Sequence, residues 1–201
     1  MTSSLRLKSR ATEAKRPRIS AKKISPIYVA VKQRTVNILL AAAVIIIAFI
    51  WYRYRQPRFV AGETAPDFQV TLIDGSTAHL SDTKGKFTLL QFWGSWCGPC
   101  RAENPKLVEI YRKYHDRGFE IFSIALEQNE RNWKRAINED GLLWKYQTKE
   151  SADFGGPISR HYNIKSIPTL FLLNPDGQIM SVDPLPGELD EILGEHLSAS
   201  R

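Results

Sequence analysis

Seventeen consecutive residues, Val36 to Tyr52, carry no charge and only one strongly polar side chain, Asn37. A helix of that length lies at the short end of what crosses a bilayer and exceeds the usual core of a signal peptide. The alternative is a buried helix of a soluble domain. Such helices seldom have flanks like these: ten Lys or Arg precede the stretch, and Arg53, Arg55 and Arg58 follow it. The larger positive excess comes first, which places the N-terminus in the cytoplasm. Trp51, Tyr52 and Tyr54 fall where an aromatic belt would meet the outer interface. No small-residue cleavage pattern follows between Arg53 and Arg58, so the segment reads as an uncleaved signal anchor.

The anchor divides the 201 residues into a basic arm over 1–35, the span over 36–52, a stalk over 53–61 and a folded domain over 62–198. The formal net charge of +7 belongs to the arm and its flanks. Thirteen of the 28 basic residues but only one of the 21 acids lie before Phe59, so the remainder carries fifteen against twenty, a net −5. That balance argues against nucleic-acid binding by the folded part. The arm is too polar to form a core and is expected to lie disordered against anionic lipid. The exported portion is one domain of ordinary size, able to fold alone. It would be a single-pass inner-membrane protein with its folded domain in the periplasm or an equivalent extracytoplasmic space, where disulfides form and persist.

The chain's two cysteines, Cys97 and Cys100, stand together in Trp96-Cys97-Gly98-Pro99-Cys100. A structural disulfide between them would remove little loop entropy and tie nothing distant. A zinc site would need a second ligand pair, yet there is no other CxxC and His79, His115, His161 and His196 are scattered. The motif follows the apolar run Phe87 to Trp93 and precedes a helical pattern from about Arg101. A strand that delivers a thiol to the start of a helix gives a dithiol exchange site, because a helix N-terminus favours an anion. The spacing predicts an exposed Cys97 capping the helix, with Cys100 one turn in. No cofactor is implied beyond the redox-active Cys97–Cys100 pair, and no metal.

Around the motif, Phe68 to Leu72, Asp74-Gly75 and Thr77 to Leu80 read as a β-hairpin. Phe87 to Trp93 and Phe119 to Leu126 read as strands buried on both faces. Between them, Leu107, Ile110 or Tyr111, and Tyr114 recur at helical spacing as far as Gly118, with Pro105 predicting a kink. A helix is expected over Arg131 to Asp140, a short strand over Leu142 to Tyr146 and a short helix over Pro157 to Tyr162. Thr169 to Leu173, a turn at Asn174 to Gly177 and Gln178 to Val182 form a strand, turn and strand before a last helix over Glu188 to Leu197. The order implies an α/β mixed sheet between helical layers.

These residues resemble the thioredoxin superfamily, and within it the membrane-anchored TlpA/ResA-like, AhpC/TSA-related thiol-disulfide oxidoreductases. The likeness rests on Ala65-Pro66-Asp67-Phe68, on Phe92 to Glu103 around the cysteines, and on Ser166-Ile167-Pro168-Thr169 with Asp176-Gly177. It implies a thioredoxin-like three-layer sandwich with a central mixed sheet and an N-terminal hairpin extension, preceded by one transmembrane helix. It makes Cys97 the attacking nucleophile and Cys100 the resolving thiol. Pro168 matches a cis-proline facing the disulfide, beside which the Ile167 backbone would pair with a substrate chain. Glu103 matches an acid near the thiols that could carry the Cys100 proton; an ordinary first-turn glutamate is the alternative. Trp96 would shield the site and contact substrate, or only pack. Classical thioredoxins have an Asp where this chain has Gln91, a neutral amide that cannot accept the proton, which adds weight to Glu103.

Gly98-Pro99 is the dipeptide of reducing thioredoxins, whose potentials lie near about −270 mV against about −120 mV for strong oxidants. The expected activity is reduction of protein disulfides outside the cytoplasm. The likeness implies electrons from a membrane thiol donor and substrates such as apocytochrome c. Two rivals remain open at this level: a peroxiredoxin-like thiol peroxidase, which shares the Ala65 to Phe68 opening, and a non-enzymatic binding or chaperone domain.

Overall fold

The computed structural model describes residues 26–55 and 59–197. The expected arm before residue 26, residues 56–58 of the expected stalk and residue 198 lie outside them. The chain forms two compact units that divide between Phe49 and Ile50.

Helix α1 spans Pro26–Arg55. It is longer than the expected span and takes in ten residues assigned above to a disordered arm. Pro26 suits a first helical position, nothing from Ile27 to Arg55 breaks a helix, and Pro57 disfavours helix at the residue before it. Its segment Arg34–Tyr54, 21 residues, is long and apolar enough to cross a membrane, and none of it is buried against protein. At 1.5 Å per residue it measures about 30 Å, the thickness of a hydrocarbon core.

The second unit is built on a five-stranded sheet in the order β5-β4-β3-β6-β7, from β3 (Phe87–Trp93), β4 (Phe119–Leu126), β5 (Tyr146–Glu150), β6 (Thr169–Leu173) and β7 (Ile179–Val182). β3, β4 and β5 run parallel; β6 runs antiparallel to β3, and β7 antiparallel to β6. α2 (Gly98–Tyr114) and α3 (Glu130–Asp140) are successive crossovers in one direction. Right-handed crossovers therefore place both on the same face. Side chains alternate across the sheet. Leu89, Trp93, Ile121, Ala125, Leu170 and Leu172 join α2, α3 and α5 (Pro186–Leu197) in one core. Leu90, Phe92, Phe122, Ile124, Phe171 and Leu173 join α4 (Pro157–His161) and the hairpin of β1 (Gln69–Thr71) and β2 (Thr77–His79) in the other. This is the expected thioredoxin-like sandwich with its hairpin extension.

Three expectations need correction. The strand placed at Leu142 to Tyr146 begins only at Tyr146. Leu142 and Trp144 alternate like strand residues, but they sit in the connection and bury into the α2–α3 core. The real strand is polar and was hidden for that reason; Thr148 donates to the Thr71 carbonyl at 2.8 Å and Glu150 is buried as an acceptor at the start of α4. Helix α2 begins three residues earlier than its apolar pattern, because Cys97 and Pro99 serve as cap and first turn. It also stops at Tyr114, before a 3₁₀ turn over His115–Arg117 that ends at Gly118 with φ 102°, a left-handed conformation natural to glycine. Pro105 lies inside α2.

Candidate active site

β3 carries the chain to Trp93, and the next three residues deliver Cys97 to the first turn of α2. The loop is held from β4. Trp96 Nε1 donates to the Leu126 carbonyl at 2.9 Å, and the Ser95 hydroxyl donates to the buried Glu127 carboxylate. Gly94 is closely covered, since a Cβ there would lie 3.0 Å from the Trp96 indole and 3.2 Å from Ile167 Cδ1 and would press both side chains back. Trp96 itself stays 56 % exposed, with the Phe154 ring edge-on at 6.4 Å.

Cys97 and Cys100 are joined in a disulfide with their Cα atoms 5.3 Å apart. Cys97 is the N-cap of α2, and its Sγ accepts from the Cys100 amide at 3.2 Å. A sulfur anion at that position would meet a backbone donor and the positive end of the helix dipole. One expectation fails here: Cys97 is 4 % exposed, hardly more than Cys100, because the closed ring turns both sulfurs into the α2-side core.

The Ile167–Pro168 peptide is cis. The register Phe92↔Thr169 sets Pro168 one residue beyond the end of the β3–β6 ladder, beside the loop that leads to Cys97. Thr169 Oγ1 donates to the Ser166 carbonyl at 2.9 Å and closes this turn, while Ile167 packs against both cores. Trp96, Ile167, Pro168 and the cysteines thus gather at one end of the sheet. The Ala65 to Phe68 opening does not. Ala65 N donates to the Gly177 carbonyl in the β6–β7 turn, at the opposite end of β6, and Tyr162 Oη donates to the Pro66 carbonyl at 2.6 Å. That motif straps the far end of the fold.

Glu103 is one turn beyond Cys100 and half-buried. Burial pushes its carboxyl above the usual range, and the nearby charge of Asp183 pushes the same way. Asp183 was missed in the sequence, where a single Asp after a strand gives no signal. It lies just past β7 with φ 51°, and its carboxylate accepts from the Leu170 amide at 2.7 Å. Burial raises its carboxyl as well, against the lowering effect of that hydrogen bond.

Gln91 is held in a core hydrogen-bond series. Trp144 Nε1 donates to Ser123 Oγ at 2.7 Å, and Ser123 donates to Gln91 Oε1 at 2.7 Å. Gln91 Nε2 donates to Asn104 Oδ1 at 3.1 Å, and Asn104 Nδ2 donates to Asp140 Oδ2 at 2.7 Å. Gln91, Asn104 and Ser123 are at most 1 % exposed. Among the described residues no group of three His, Cys, Asp or Glu could hold a metal ion.

Residues 61–182 match the AhpC/TSA family. A thiol-disulfide oxidoreductase ResA from Bacillus cereus is 32 % identical over 161 residues, which cover 80 % of this chain and 90 % of that protein. Among solved structures, the thioredoxin domain of a thiol-disulfide oxidoreductase from Bacteroides vulgatus superposes with a TM-score of 0.64 at 29 % identity, covering 69 % of this chain and 99 % of that one. A thiol:disulfide interchange protein from a Bacteroides species gives the same TM-score at 28 % identity, with 71 % and 93 % covered.

Proposed function

This chain belongs to the AhpC/TSA family and is a ResA-like thiol-disulfide oxidoreductase, and from that premise we propose that it is a membrane-tethered reductant of protein disulfides outside the cytoplasm. The observation that carries the reading is the Cys97 sulfur at the N-cap of α2, within 3.2 Å of the Cys100 amide.

In the reduced form the Cys97 thiolate attacks one sulfur of a substrate disulfide. A mixed disulfide forms, and the other substrate sulfur leaves as a thiolate that takes up a proton. Cys100 then loses its proton to Glu103 and attacks the Cys97 sulfur. This closes the ring seen here and releases the second substrate thiol. The substrate gains two electrons and two protons, and the dithiol loses them. A base for Cys100 must sit close by and hold its proton at a suitable strength. Glu103, one turn away and raised by burial, is that group. Trp96 and the Ile167–Pro168 turn would bind the substrate chain, with the Ile167 backbone offering strand-like pairing.

The Gly98-Pro99 dipeptide supports the reducing direction. Reduction of insulin by the dithiothreitol-reduced protein tests the activity, and equilibration with glutathione tests the direction. A potential near about −270 mV is expected, and one above about −180 mV would overturn the reductant assignment. The charge asymmetry around α1 supports a cytoplasmic N-terminus, with the stalk from 53 and the catalytic domain from 62 on the other side. A reporter fused to the C-terminus reads this directly. Because the oxidised ring must be reduced again, the scheme needs a thiol donor in the membrane; a protein such as apocytochrome c is the proposed electron acceptor. A Cys100→Ser protein, which stalls at the mixed disulfide, would capture the acceptor for identification.

A further inference from the structure

The last turn of α3 holds Glu139 and Asp140 and no basic residue, although the C-terminal end of a helix is itself partially negative and is stabilised by cations. Both acids turn to Arg101, the residue after Cys100, and Glu139 also faces Arg135 at 3.7 Å. Arg101 Nη2 donates to Glu139 Oε2 at 2.9 Å and Nε to Asp140 Oδ2 at 2.5 Å. The guanidinium also reaches the Ser95 carbonyl from Nη1 at 3.4 Å, which sets its charge against the loop that leads into Cys97. The two acids strengthen the hold of Arg101 on its proton.

Asp140 has a second task. The chain of bonds from Trp144 has one direction only. An indole N–H can only donate, so the Ser123 hydroxyl must give its hydrogen to the Gln91 carbonyl. The Gln91 amino group then faces the Asn104 carbonyl, and the Asn104 amino group faces Asp140, which as a carboxylate can only accept. Every donor in the series points at Asp140, and Arg101 approaches it from the other side.

We propose that Asp140 is a positioning residue for the dithiol: by accepting from Asn104 and Arg101 together, it keeps the cation beside the Cys97 loop neutralised, so that the Cys97 thiolate gains no cationic partner and the pair stays strongly reducing. The inference rests on the exchange reading of Cys97 and Cys100. A thiolate beside an unbalanced cation is stabilised, which stabilises the dithiol and makes it a weaker reductant. Asp140 and Glu139 supply the balance from α3. Glu127 on the Ser95 side, and Glu103 with Asp183 near Cys100, add negative charge around the same turn.

The test uses the full-length protein and two variants that break the same ion pair. Asp140→Asn keeps the shape and one acceptor oxygen but removes the charge. Its glutathione equilibrium should move toward the dithiol by up to about tenfold, ~30 mV, and alkylation of Cys97 at neutral pH should quicken by a similar factor. Arg101→Gln leaves the acids unbalanced and should move both readouts the opposite way. Loss of packing alone would move both variants in one direction. Opposite signs therefore support the proposal, while equal signs or no change in either variant overturn it. If Asp140→Asn fails to fold, Arg101→Gln decides alone, because a shift toward the dithiol or none contradicts the proposal. Wild-type protein that cannot reduce insulin would overturn the exchange reading itself, and this inference with it; active wild type with unmoved variants overturns the inference only.

Discussion

The two sides of the dithiol helix are built on opposite principles. Toward β3 and α3, α2 rests on the neutral amides Gln91 and Asn104, which bond to each other in a series that ends on Asp140. Toward the end of β7 stand two carboxyls, Glu103 and Asp183, each raised by burial. On the first side the groups that bond α2 directly are neutral amides, while the second presents a half-buried carboxyl one turn from Cys100. The difference teaches that one helix can be anchored by polar groups and served by polar groups without the two sets mixing, provided the anchoring groups bond to one another.

The largest expected effect breaks the serving side. Glu103→Gln should slow resolution of a mixed disulfide by about 10²-fold, a usual contribution of a positioned acid or base, and leave the initial attack by Cys97 near its wild-type rate. Stopped-flow measurement of the two phases checks this, and equal slowing of both would place Glu103 outside proton transfer. Next comes the anchoring side. Asn104→Leu should lower stability by about 2 kcal/mol, because it strands the Gln91 amino group in the core and takes one donor from Asp140. Denaturant unfolding measures it, and the pH profile of resolution should keep its shape.

A subtler test follows from linkage. A carboxyl that holds its proton more tightly folded than unfolded adds stability that is fully present below the unfolded pKa. That contribution fades as pH rises through the folded value. Glu103, with its ordinary pKa of 4.5 raised in the fold, should therefore weaken the domain as pH climbs above that range, and Glu103→Gln should flatten this fall. Melting temperatures across acid to neutral pH show whether it does. The smallest effect sharpens the comparison on the carboxyl side alone. Asp183→Asn removes the charge that helps to raise Glu103, so the acid limb of the resolution profile should move to lower pH, with insulin reduction at neutral pH little changed. An unmoved limb would mean the two carboxyls do not sense each other.

Much of the fold could be read before any coordinates. Phe87 to Trp93 and Phe119 to Leu126 are mostly apolar runs, and both are strands over those same residues. β5 was misplaced because Tyr146–Glu150 is polar; it pairs along β4, and Thr148 bonds back to Thr71, 77 residues away. The cysteines, Trp96 and Pro168 were visible because motif and spacing are local. Asp183 and Asp140 were not, since an acid after a strand and an acid ending a helix look the same whether they face water or a reaction site.

The sequence by itself determined that this chain has one dithiol at a strand–helix junction, a separate uncharged span of membrane length, and Pro168 ahead of a late strand. Each of these depends on neighbours within a few residues. Only the tertiary structure decided what surrounds the sulfurs. Gln91 meets Asn104 across 13 residues, and Asn104 meets Asp140 across 36. Such pairings exist once the β3-α2-β4-α3 crossovers have stacked both helices on one face of the sheet, and no local pattern encodes them.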